Sequence, residues 1–127
     1  MSESFNAKRG LVVVPVEVFG PTGSIVLRCA LDTGATRTMI SVAMLQTVGY
    51  DPGLEPDRVQ VTTGSGVESA PLVKLQRVVA FSQERVDLPV LAHTLPPTAG
   101  IDGLLGLDFL RERLLEIDFR NGLMSLS

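Results

Sequence analysis

Apolar residues recur in short runs along the chain, and glycine- and proline-rich stretches separate the runs. Between Leu11 and Phe19, Val12, Val14, Val16 and Val18 fall on one side at a period of two, with Val13, Pro15, Glu17 and Phe19 on the other. That period belongs to a strand, because successive side chains of extended backbone point to opposite faces. Pro15 has no N–H to give, which predicts an unpaired edge somewhere along this strand. Gly20-Pro21-Thr22-Gly23 carries turn chemistry, and Ser24 to Leu31 returns as the second strand of a hairpin. A short strand is expected at Thr38-Met39-Ile40. Ser41 then N-caps a helix that runs to Val48 and stops at Gly49.

Tyr50 to Asp57 holds prolines at 52 and 56 and reads as a loop. Arg58 to Thr62 and Val67 to Leu75 form a second hairpin around the tip Thr63-Gly64-Ser65-Gly66. Further strands are expected at Gln76 to Phe81 and Val86 to Ala92, across a Ser82–Arg85 turn. After the loop from Thr94 to Gly100, the stretch Ile101 to Leu110 begins as a buried strand with glycines. It passes into a short helix from Asp108 to about Glu112, with Asp108 as its cap. Leu114 to Phe119 and Leu123 to Leu126 close the chain as a hairpin across an Asn121-Gly122 turn. Strands dominate and helices are few and short, so the expected fold is all-β, a closed and mostly antiparallel barrel. Residues 1–10 read as a polar arm and residues 11–127 as one domain, within the usual size range.

Composition narrows the function classes. An apolar fraction of 45% supports a true core. Eleven basic residues against fourteen acidic ones, with no Lys/Arg cluster, argue against nucleic acid or an anionic membrane as partner. No apolar run is long enough to span a bilayer and no secretory leader is evident, so a soluble, cytoplasmic location is expected. Cys29 has no second cysteine to pair with and falls in a strand, where it reads as a small buried hydrophobe. His93 is the single histidine and reads as a surface or packing residue; with Cys29 it makes no metal-ligand set. No phosphate-binding glycine loop is present, and no cofactor is implied.

One stretch carries candidate chemistry. The strand ending at Ala30-Leu31 runs straight into Asp32-Thr33-Gly34-Ala35-Thr36. A carboxylate delivered at the end of a buried strand must be strained, paired or functional, since burying an isolated charge is costly; an ordinary Asp-Thr-Gly turn is the plain alternative. Asp118 reads as structurally paired and Asp102 as a loop residue. Arg37, directly after the acidic loop, is a candidate for substrate contact.

Leu31-Asp32-Thr33-Gly34-Ala35-Thr36, together with Gly103-Leu104-Leu105-Gly106-Leu107-Asp108-Phe109-Leu110 and the tail Glu116 to Met124, resembles the retropepsin-like aspartic proteases. The likeness is closer to the bacterial and DNA-damage-inducible-type branch than to the viral enzymes. It implies that Asp32 is the catalytic aspartate, that Thr33, Gly34 and Ala35 form the active-site loop, and that Leu104, Leu105 and Gly106 pack behind it. It also implies that Thr63, Gly64, Ser65 and Gly66 form a flap. The chain has one such aspartate where the family's mechanism needs two carboxylates, so the resemblance implies a homodimer acting on peptide or protein substrates. Viral members carry an acid–arginine ion pair at positions that here hold Thr36 and Leu107. A non-catalytic dimerisation or peptide-binding module of the same fold is the alternative.

Overall fold

The computed structural model describes residues 2–63 and 66–127, and Thr63 through its backbone. Ten strands carry the fold: β1 (Ser2–Ser4), β2 (Val13–Gly20), β3 (Gly23–Leu31), β4 (Met39–Ile40), β5 (Arg58–Thr63), β6 (Gly66–Ala80), β7 (Gln83–Ala92), β8 (Gly103–Leu105), β9 (Leu115–Asp118) and β10 (Leu123–Leu126). Two short helices, α1 (Val42–Thr47) and α2 (Leu107–Leu110), and two 3-10 turns complete it.

The larger sheet runs β2-β3-β8-β4-β7-β6-β5, and β2 also pairs with β6, so six strands close into a barrel and β5 stays outside the ring. The closing seam is short. It joins Glu17, Val18 and Phe19 to Val79, Val78 and Arg77, which leaves Pro15 bonded on its β3 side alone, as its missing N–H requires. Tyr50 reinforces the seam: its hydroxyl donates to the Phe19 carbonyl at 2.6 Å and accepts from the Gln76 N–H at 2.8 Å. Pairing is antiparallel except where β8 runs parallel to β3 and β4 parallel to β7. The inward faces of these strands make the core, with Val14, Val16, Val18, Leu27, Val73, Leu75, Val78 and Val90 at its centre.

Several expectations need adjusting. β6 is continuous over 15 residues where two strands were expected. The turn that ends it is Phe81-Ser82, one residue ahead of the expected Ser82–Arg85 turn, and both of its residues take positive φ without a glycine. Ser2-Glu3-Ser4 lacks apolar alternation, yet it forms β1 by pairing antiparallel with the edge of β10. Phe5 then packs edge-to-face on Phe119, with ring centres 5.5 Å apart. The last hairpin turns through residues 119–122, with Leu123 paired to Asp118. Hydrogen bonds from Asn121, its side-chain amide foremost, and from the Arg120 N–H hold the Asp118 carboxyl below the usual carboxylate range. The Ser41 cap is as expected, accepting from the Met44 N–H at 3.3 Å. Asp102 accepts the Arg28 N–H at 2.9 Å and so ties the 101–102 segment to β3. Among the described residues no helix is long and apolar enough to cross a membrane.

Cys29 sits fully buried on β3, where burial, assisted by the Asp102 charge, pushes its thiol up to about 12. The folded chain thus favours the neutral thiol. The stabilisation this gives is complete below the ordinary value of 9.0 and is lost as pH rises toward the folded value. At pH 8 a thiol-specific reagent is expected to label urea-unfolded protein fully and native protein only at the rate of unfolding; rapid native labelling would contradict the burial.

Candidate active site

β3 ends at Leu31, and Asp32 follows directly in the loop that leads to β4. That loop is held from behind by the second glycine stretch. The Asp32 N–H donates to the Leu105 carbonyl at 3.0 Å, and the Leu107 N–H donates to the Ala35 carbonyl at 2.8 Å. Within the loop, the Asp32 carboxylate accepts the Gly34 N–H at 2.9 Å and the Asp32 carbonyl accepts the Ala35 N–H at 3.2 Å. The carboxylate is therefore aimed by its own turn, and the turn is fixed by β8.

Leu104, Leu105 and Gly106 stand where the loop needs support. Leu104 pairs with Ala30 on one side and Met39 on the other, and Leu105 is fully buried. β8 is squeezed between β3 and β4: a Cβ on Gly103 would lie 2.2 Å from the Met39 carbonyl oxygen. Gly106 is equally confined, since a Cβ there would lie 2.8 Å from both the Ala35 and Arg37 carbonyl oxygens. The segment's glycines are thus the contact surface of the loop itself.

The residue that joins these parts is Thr38, the one fully buried polar side chain among the described residues. Its hydroxyl donates to the Asp108 carboxylate at 2.7 Å and accepts the Gly106 N–H at 3.1 Å. Its own N–H donates to the other Asp108 oxygen at 2.9 Å. Asp108 is consequently no helix cap, as the local pattern had suggested: Gly106 holds that position, and Asp108 lies inside α2, bonded to Thr38 and to the Phe109 N–H. A signal for Thr38 does exist in the sequence. At a period of two it shares the inward face with Ile40, and an inward threonine needs hydrogen-bond partners.

In front of the loop lies an open groove of about 660 Å³. Asp32, Gly34, Ala35, Thr36 and Arg37 form one side, and Val59 to Thr62 of β5 face them, with Met39 and Leu91 between. Thr33 is exposed beside Asp32. The hairpin of β5 and β6 pairs out to Thr63 and Gly66, with Gly66 at positive φ. Gly64 and Ser65, expected at its tip, lie outside the described residues. No group of side chains suited to a metal ion occurs among the described residues.

Replacing Thr38 with Val keeps the shape but removes the hydroxyl's bond to the Asp108 carboxylate, which keeps its backbone donors, and strands the Gly106 N–H; it is expected to lower unfolding free energy by about 2–3 kcal/mol. Ser, which keeps the hydroxyl, should cost about 1 kcal/mol through the lost methyl. Equal losses for Val and Ser in urea titrations would count against the hydroxyl bridge. Gly106→Ala should cost about 1–3 kcal/mol by forcing the loop off β8.

Comparisons with known proteins bear on the fold and the family. No curated protein matches the chain. A crystal structure of a retropepsin-like aspartic protease from Rickettsia conorii has a TM-score of 0.75 to this fold at 20% identity, covering 99% of this chain and 88% of that one. At that identity the likeness speaks for the fold. The family model described as "gag-polyprotein putative aspartyl protease" matches residues 23–112, from the start of β3 past the end of α2. That span holds both loops and the groove, and the chain belongs to this aspartyl protease family, with a retropepsin-like fold.

Proposed function

We propose that the chain is one half of a homodimeric aspartic endopeptidase in which the Asp32 carboxylate of each subunit acts on a shared water. The observation that carries this reading is the presentation of Asp32: its carboxylate lines the groove at the end of a strand, oriented by the Gly34 N–H and by a loop bonded to β8. Membership of the aspartyl protease family supports the reaction class.

A single chain supplies one such carboxylate, so the second comes from an identical partner across a two-fold axis. Two carboxyls held together ionise in coupled steps and share one proton over a range of pH. The ionised member removes a proton from water as it attacks the scissile carbonyl carbon, and the protonated member donates to the carbonyl oxygen. The intermediate collapses as the newly protonated aspartate gives its proton to the amide nitrogen, the C–N bond breaks, and the other aspartate takes the proton of one hydroxyl while the carbonyl re-forms. Thr33, exposed beside Asp32, is the loop residue available to brace the partner's loop. Leu104, Leu105 and Gly106 act as support, and the stretch Thr63, Gly64, Ser65 and Gly66 serves as a flap that adds backbone hydrogen bonds to an extended substrate. Apolar side chains of the substrate fit Met39, Val59, Val61 and Leu91 across the groove.

Cleavage of unfolded casein and apolar peptides, measured from pH 3 to 7, should fall ~10²–10⁴-fold or more in Asp32→Asn. Specific activity should also decline on dilution as the dimer dissociates. Equal cleavage by wild type and Asp32→Asn would remove Asp32 from the chemistry. Peptide binding with no turnover in either protein would favour a binding module.

A further inference from the structure

We propose that Arg37 reads substrate charge: the groove selects peptides whose apolar cleavage site is flanked by an acidic side chain. This rests on the peptidase reading above and names the substrate class of that same site.

Among the described residues lining the groove, Asp32 and Arg37 alone are ionisable. They do not neutralise one another, because the ion pair found among the described residues is Arg77 with Glu84. Other carboxylates near the loops are engaged elsewhere. Asp108 holds Thr38, and Asp102 accepts the Arg28 N–H. The Arg37 side chain is exposed and has no hydrogen-bond or ion-pair partner among the described residues.

Its root, by contrast, is fixed. Arg37 precedes the buried Thr38, and its carbonyl packs on Gly106, where even a methyl group would not fit between them. An arginine with an anchored backbone and an unengaged guanidinium, the one cationic group among the described residues of a groove whose only other charge is Asp32, is a receptor for a carboxylate, which it can bind through two parallel N–H donors. The neighbouring Met39, Val59, Val61 and Leu91 take apolar side chains, so the recognised sequence combines both classes. In a two-fold dimer each half of the groove brings its own Arg37, and an acid is favoured on either side of the cut.

The test uses peptides with one apolar cleavage site, in which flanking positions up to four residues away are changed in turn to Glu, Gln or Lys. Values of kcat/KM are measured for wild type, Arg37→Gln and Arg37→Glu, with circular dichroism to verify that the variants fold. Wild type should prefer Glu over Lys at the responsive position by roughly tenfold at low salt, mainly through KM, and the preference should shrink at 1 M NaCl. Arg37→Gln should erase the preference and Arg37→Glu should invert it. A wild type that cleaves all three series equally, or a preference that survives charge reversal, overturns the role of Arg37 while leaving the peptidase intact. Should no peptide be cleaved, the peptidase reading fails separately, and fluorescence anisotropy with the same peptides decides. Tighter binding of the Glu series that is lost in Arg37→Glu upholds the charge reading, and charge-blind or absent binding overturns it.

Discussion

The site depends on one buried hydroxyl. Thr38 bonds Asp108 and the Gly106 N–H at once, and so locks the loop that carries Asp32 to the segment entering α2. The two stretches lie far apart in sequence, and each is too short to hold a shape by itself. Backbone bonds from Asp32 to Leu105 and from Leu107 to Ala35 join them, and β8 pairs with the strands on either side of the loop. The threonine adds a side-chain tie from the loop into α2. It does so in a water-excluded interior, where a satisfied hydrogen bond is strong and an unsatisfied group is expensive.

This arrangement ties the two loops with no ion pair at the positions where the resemblance to viral enzymes would place an acid and an arginine, here Thr36 and Leu107. Position 36 lines the groove, and position 107 contributes its backbone N–H to Ala35 in place of a side-chain charge. Both partners of the ion pair are missing together, so no charge is left stranded. In this chain the tie between the loops consists of a hydroxyl, a helix carboxylate and main-chain donors. Such a junction tolerates salt better than exposed ion pairs do.

What could be read from the sequence was whatever short-range pattern encodes. Valines at 14, 16 and 18 gave the first strand and its buried face, Ser41 gave the start of α1, and the Asp32 loop followed from a strand that ends in a carboxylate. What escaped depends on partners distant in the chain. β1 has no pattern of its own and exists because β10 offers an edge. Asp108 looks locally like a cap, and its real partner is 70 positions away. The turn at Phe81-Ser82 uses positive φ without glycine and lies one residue ahead of the expected Ser82–Arg85, whereas the break expected between Leu75 and Gln76 is absent because pairing with β7 continues on both sides of it. The groove is of the same kind: Met39, Val59 and Leu91 meet only once the sheet order is set.

The strand β5 bonds to the first part of β6, up to Pro71, while the ring begins at Leu72, where β6 turns to β7. One wall of the groove is therefore cantilevered from the barrel. Side chains at 59–62 can change in size, or the hairpin can tilt, with no barrel hydrogen bond broken. The architecture thus separates two kinds of selection. The ring and the Thr38 junction answer to stability and vary little in what they allow, whereas the outer wall can be retuned to a new ligand at small cost to the fold.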